Sequence, residues 1–151
     1  MKHFSIHETS KESSTRLQNI KTEDRICPGK NPMCSIIIDE TMEYQTIQGF
    51  GGALTESSAY VLSTLPKEKR KEVIHSYFGS SNGHKYTIAR SHINSCDFSL
   101  ENWSCLEHKD ETFESFSMEK PNQYLIPLIK DCGSAVKHSQ KKQMMLMLTP
   151  W

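Results

Sequence analysis

Neither sign of charge is in excess in this chain, because eighteen lysines and arginines offset eighteen aspartates and glutamates. Proteins that hold nucleic acid or an anionic membrane surface by electrostatics carry a basic surplus, so neither is expected as a partner. Long apolar runs are also missing, and without about twenty such residues in a row no transmembrane span is expected. The stretch Met1 to Glu12 lacks the apolar core of a secretory signal, so the compartment expected for the chain as written is cytoplasmic. Paired C-x-x-C spacing is absent too. Cys27, Cys34, Cys96, Cys105 and Cys132 are odd in number, which argues against a zinc module or a complete disulfide framework and for reduced thiols. Asn102-Trp103-Ser104 fits an N-glycosylation pattern, read as an accidental match without an export signal.

What is present is ordinary globular material: 151 residues, 36% hydrophobic and 24% charged, enough for one domain with a sizeable core. Residues 1–33 are polar and weakly periodic, reading as a flexible leader that ends in turn chemistry at Cys27-Pro28-Gly29-Lys30-Asn31-Pro32. Residues 34–47 hold Ser35 to Asp39, rich in β-branched residues, and Glu40 to Ile47, and predict two short strands joined by a turn.

From residue 48 the pattern alternates. Gly49, Gly51 and Gly52 around Phe50 mark backbone that bends or is approached closely. They have neither G-x-G-x-x-G order nor a Lys-Ser/Thr end, so a tight strand end is expected rather than a nucleotide loop. Helices are predicted over Ser57 to Leu65 and over Pro66 to Phe78, the second with Val73, Ile74, Tyr77 and Phe78 inward and Lys67, Lys69, Arg70 and Lys71 on its wet face. Tyr86 to Ala89 predicts a buried strand. A long loop with Trp103, Phe113 and Phe116 runs from Ser99 to about Ser117, and a helix from Pro121 presents Tyr124, Leu125, Leu128, Ile129, Cys132 and Val136 at helical spacing. Gln143 to Thr149 is almost continuously apolar, the pattern of a strand buried on both faces. Strand, helix, strand, helix, strand argues for βαβ units and a parallel sheet.

The organising stretch is Tyr86 to Ser99, where an apolar strand stops at an arginine and gives way to polar residues. Ligand sites in parallel α/β sheets lie beyond the carboxyl ends of strands, which puts Arg90, Asn94 and Asp97 in position either to bind a ligand or to tie down a loop. A metal reading would use His92, Cys96 and His84 or Cys105; the four-residue spacing suits a helix, whereas this stretch reads as strand and loop. No consensus metal loop or cofactor motif is present, and no cofactor or metal is expected.

Four segments carry a family resemblance: Gln45 to Thr55 around G-F-G-G-A-L-T, Arg90 to Ser99 (R-S-H-I-N-S-C-D-F-S), Leu125 to Lys130 (L-I-P-L-I-K) and Leu148 to Trp151 (L-T-P-W). In this order they resemble the N-terminal third of glycoside hydrolase family 30, the glucosylceramidase group. The resemblance implies an α/β chain: an incomplete (β/α)₈ TIM barrel, about the first three βα units, over residues 48–151, preceded by short strands of a β-sandwich at 34–47. It implies a retaining β-glycosidase that uses two glutamates from later strands, with a β-glycoside or glycolipid as partner and the missing C-terminal part of the barrel as another. Its relatives are often secreted or lysosomal. No catalytic residue is therefore assigned in this chain, and Glu56 and Glu101 are not promoted to that role. By the same resemblance Arg90 supports the nucleophile, Asp97 accepts bonds from sugar hydroxyls, Trp151 lines the sugar pocket and Phe98 shapes its wall. The loop after Ser99, with Trp103-Ser104-Cys105, follows the family pattern only loosely.

Overall fold

The computed structural model describes residues 5–12, 14–21, 37–106 and 109–151, in two compact units divided between Gln45 and Thr46. In the first, β1 (Ile6–Glu8) pairs antiparallel with β2 (Gln18–Ile20), Ile6 opposite Ile20. Polar side chains shape the connection: Thr9 Oγ1 accepts the Leu17 N–H at 2.9 Å, and Arg16 donates to the Ser10 carbonyl at 2.9 Å. Part of the expected leader thus forms a hairpin, because short hydroxyl side chains can satisfy turn backbone locally.

The strands expected within 34–47 are not found over residues 37–47, which carry no strand and fold back at Asp39. There Asp39 Oδ1 accepts both the N–H and the hydroxyl of Thr41, at 2.9 and 2.7 Å. An aspartate that satisfies the backbone two residues on favours a turn over a strand, and the β-branched run before it finds no partner strand among the described residues. Residues 34–36 and the turn at Cys27 to Pro32 lie outside those residues.

The second unit follows the alternating order. β3 (Gly51–Leu54) leads to α1 (Glu56–Thr64) and α2 (Lys67–Phe78), then β4 (Ile88–Ile93), α3 (Glu119–Gln123), α4 (Leu125–Gln140) and β5 (Met145–Pro150). The three strands make a parallel sheet, β3-β4-β5, with Gly51 beside Ile88 and Arg90 beside Met147. A three-stranded parallel sheet with its helices agrees with the expected βαβ order.

α1 and α2 start where the sequence says, whereas the single helix expected from Pro121 is two, α3 from Glu119 and α4 from Leu125, parted at Tyr124 with φ of −134° and ψ of −47°. Thr55 caps α1 with a reciprocal pair of bonds to Ser58, and Pro66, with its fixed φ and no N–H to satisfy, stands immediately before α2. α4 buries Leu125, Leu128, Cys132 and Val136, the i, i+3, i+7, i+11 stripe expected of an amphipathic helix. Leu128, Cys132 and Val136 pack with Leu54, Ala59, Ile74, Phe78 and Ala89 into one core between helices and sheet. Arg70 departs from the wet face assigned to it. It reaches Asp131 on α4 at 2.6 Å, tying α2 to α4, while Lys69 and Lys71 stay on the surface, paired with Glu72 and Glu68.

The apolar run at β5 is not buried on both faces. β5 pairs with β4 on one side, and Met145, Leu146, Met147 and Leu148 are exposed. Composition records what a strand can bury, whereas burial itself needs a neighbour on each face, and among the described residues β3 and β5 are the outer strands. Among the same residues no helix is long and apolar enough to cross a membrane.

Burial also sorts the thiols. Cys132, enclosed in the core, has its pKa pushed up to about 12 by desolvation, with Asp131 adding to the rise and Arg70 opposing it. Cys96 is only half-buried. Alkylation at pH 8, followed residue by residue by mass spectrometry, should modify Cys96 at least about tenfold faster than Cys132, which reacts only on unfolding. Equal rates would mean that the α4 core is open.

Candidate active site

The groups singled out around the ends of β4 and β5 come together. Side chains alternate along a strand, so Ala89 and Ser91 enter the helix side while Arg90 and His92 point to the opposite face. Arg90 is held there by two neighbours from β5 and its exit: Nε donates to Thr149 Oγ1 at 3.0 Å, and the guanidinium carbon lies 5.1 Å from the Trp151 ring centroid. Phe98 meets the same indole edge-on, with centroids 6.4 Å apart at 80°. Arginine, tryptophan and phenylalanine thus form one wall, and a guanidinium stacked on an aromatic face keeps donors free for a planar anion.

Beside that wall is a polar cleft of about 370 Å³, lined by Ser95, Asp97, Ser99, Glu101, Asn102 and Trp151 among others. Asp97 is exposed within it. Glu101 is ion-paired with Lys120 of α3, and that bond, the largest cause, raises the lysine pKa. A larger groove of about 1070 Å³ lies along α2 and α4, but four of its charged residues are spent on one another, Arg70 on Asp131 and Lys71 on Glu68. The smaller cleft is where unspent hydrogen-bonding groups and an aromatic face converge, as small-molecule sites require.

Not every expected residue belongs to the cleft. Asn94, with φ of 61°, turns the chain at the end of β4, and its Oδ1 accepts the Cys105 N–H at 3.0 Å. Its role is to hold the loop, since asparagine tolerates the left-handed region and can bond backbone nearby. His92 is buried with both ring nitrogens occupied: Nε2 accepts the Glu56 N–H at 3.2 Å, and Nδ1 donates to the Asn94 carbonyl. That fixes one neutral tautomer and removes the ring from metal binding, and no group of three metal-binding side chains occurs among the described residues.

Glu56 shows what spacing alone does not. Only 2% exposed, it accepts the Trp103 indole N–H at 2.8 Å and the Leu100 N–H at 3.3 Å through Oε2. A buried carboxylate with two such donors is an anchor for the loop after β4. The one legible signal was an acid just after a helix cap, which also marks an ordinary first turn.

The far end of the same loop is tied by Asp110. Its two oxygens accept from the N–H and hydroxyl of Thr112, at 2.9 and 2.7 Å, and of Ser115, at 2.7 and 2.6 Å. The Ser115 hydroxyl first, then that of Thr112, hold the carboxyl well below its ordinary value of 3.8. A pKa lowered on folding adds stability that is present above the unfolded value and lost as pH falls through the folded one. The Thr112 and Ser115 amide resonances should therefore stay constant from pH 7 to about 4 and shift only below that; a midpoint at or above 3.8 would contradict these bonds.

Parallel strands, helices packed on one face and a cleft beyond the strands' carboxyl ends define an α/β protein of the kind that binds small molecules at that end. Residues 47–151 match the TIM-barrel domain of glycosyl hydrolase family 30, and the chain belongs to that family. It is 34% identical over 111 residues to the lysosomal acid glucosylceramidase of Mus musculus, an alignment covering 72% of this chain and 21% of that protein. Among solved structures it resembles SrfJ from Salmonella typhimurium, with a TM-score of 0.63 and 34% identity over 71% of this chain and 23% of that one. The endo-β1,6-glucanase BT3312 gives the same TM-score at 25% identity, over 75% of this chain and 24% of the other. The chain spans about a fifth to a quarter of the length of these relatives.

Proposed function

We propose that this chain supplies the sugar-binding part of a retaining β-glycosidase acting on a β-linked glucoside such as glucosylceramide, and that both catalytic glutamates come from polypeptide outside these 151 residues. The observation that carries the reading is the convergence of Arg90, Thr149, Trp151, Phe98 and Asp97 on one face beyond β4 and β5. Two names among the relatives, a glucosylceramidase and an endo-β1,6-glucanase, share a glucose unit, and family membership supports glycoside hydrolysis as the chemistry.

Each group then has a task. The indole of Trp151 offers an apolar face to a sugar ring and an N–H at its edge. Asp97 accepts from sugar hydroxyls, while the Phe98 ring, standing against the indole, shapes the pocket wall. Arg90, fixed by Thr149 and stacked on Trp151, presents its free guanidinium nitrogens to the nucleophilic carboxylate and keeps it ionised and oriented. In a retaining mechanism that carboxylate attacks the anomeric carbon as a carboxylic acid roughly 5 Å away protonates the leaving oxygen; water then releases the sugar from the covalent intermediate. The exposed outer strands β3 and β5 are where the remaining strands of the barrel would pair, which makes that remainder the protein partner. Residues 48–151 would be the barrel segment.

The alternative is a non-catalytic remnant of a barrel, favoured by the exposure of Met145 to Leu148. Hydrolysis of a chromogenic β-glucoside decides: the 151-residue chain alone should give no turnover, and the chain joined to the rest of a family domain should be active. Turnover by the isolated chain would place an acid pair within it and overturn the assignment; an inactive joined protein with a cooperative melt would favour the remnant.

A further inference from the structure

We infer that Glu56 is the positioning residue of the cleft: from the start of α1 it fixes the loop 97–103, and so the place of Asp97 and Phe98 against Arg90 and Trp151. The argument begins with the unpaired N–H groups that every helix start leaves. In α1 two of them go to the segment that builds the cleft. The Glu56 N–H reaches His92 Nε2 at 3.2 Å, and the Ser57 N–H reaches the Phe98 carbonyl at 2.9 Å, where the Ser57 hydroxyl donates too, at 2.7 Å. The Ser58 N–H goes to Thr55 Oγ1, and Ala59 makes the first intrahelical bond, to the Thr55 carbonyl.

The Glu56 side chain completes the clamp by accepting from Trp103 Nε1 and the Leu100 N–H, so the loop is gripped at positions 98, 100 and 103 by two consecutive residues. Trp103 is held from the other side as well: its carbonyl accepts the Ser95 N–H at 3.0 Å, and its ring lies 6.1 Å from that of His92. Between these ties the loop closes on itself, Ser99 N–H to the Cys96 carbonyl at 2.9 Å and Cys96 N–H to Ser99 Oγ at 3.0 Å, leaving Asp97 and Phe98 at its tip. Two donors converging on one oxygen of a side chain only 2% exposed resist displacement, because without them that oxygen would be left buried and unpaired. That Asp97 touches sugar rests on the glycoside reading; that Glu56 places Asp97 does not.

Hydrogen exchange on the 151-residue chain tests the positioning without a substrate, comparing wild type with Glu56→Ala and Glu56→Gln. In Glu56→Ala the amides of 97–103 should exchange at least about tenfold faster, while those of Ala89 to Ser91 and Leu128 to Val136 keep their protection. Glu56→Gln, whose side-chain oxygen can still accept from both donors, should restore most of the loop's protection. Unchanged loop exchange in Glu56→Ala, loss of protection in loop and α4 together, or failure of glutamine to rescue would each overturn the inference. Glucoside binding by the wild type is measured separately: no binding, with the loop freed in Glu56→Ala, overturns the glycoside reading and leaves the positioning standing.

Discussion

In a polypeptide that carries the whole family domain, Asp97→Ala is expected to lower kcat/KM for a β-glucoside by about 100-fold. A carboxylate accepting from a sugar hydroxyl makes a charge-assisted bond, typically about 1.5 to 3 kcal/mol, and bonds to ring hydroxyls in glycosidases tighten as positive charge develops at the anomeric carbon. Only the part that strengthens in the transition state raises kcat, so the loss should fall on kcat as well as on KM. Asp97→Asn, which keeps shape and one acceptor, should lose less. Asp110→Asn is the internal control, because that carboxyl is spent on Thr112 and Ser115. Steady-state kinetics on the three variants check the ordering, and an Asp97→Ala enzyme with unchanged constants would remove Asp97 from the site.

Gly51→Ala should cost about 3 kcal/mol or more, whereas Gly52→Ala, one residue on, should be nearly neutral. A Cβ placed on Gly51 would run into the carbonyl group of Ile88 on the adjoining strand, and backbone cannot swing away as a side chain can. Relief would require moving β3 from β4, against four aligned residue pairs between Gly51–Leu54 and Ile88–Ser91. At Gly52 the added methyl meets only the Tyr86 ring, at 3.7 Å, an ordinary contact. For a chain of this size the Gly51 substitution should lower Tm by roughly 6 to 12 °C, read by thermal melts followed by circular dichroism. Similar melts for the two variants would mean that the strands are not this close.

The glycine pair also shows what the sequence could and could not disclose. Three glycines around Phe50 announced a close approach, but which of them lies against the next strand depends on register, set by residues 37 positions away. α4 was legible because its stripe from Leu125 to Val136 is a local property of one helix. β4 ran four residues further than its apolar start suggested, through Arg90 and His92, because strand extent follows pairing with β5 rather than side-chain type. Over the described part of the strand expected at Ser35 to Asp39, Ile37 to Asp39, the Asp39–Thr41 turn stands instead for the complementary reason: pattern without a partner strand among the described residues makes no sheet. At the site, two of the four ordered motifs single out Arg90, Asp97, Phe98 and Trp151, and the fold brings these side chains to one wall and the cleft beside it, where sugar binding is the proposal. Sequence gives Glu56 no catalytic role and leaves its anchoring one hidden, since its two donors lie at positions 100 and 103 and nothing local reports a contact across that distance.

The proposed glucose-binding half-site is tested most directly by tryptophan fluorescence of the 151-residue chain titrated with methyl β-glucoside, beside Asp97→Ala and Trp151→Phe. A saturable change is expected in the wild type, weakened in Asp97→Ala and lost in Trp151→Phe, whose remaining indole, Trp103, is tied to Glu56 and does not line the cleft. A wild-type titration that never saturates, or a signal that survives both substitutions, would contradict it.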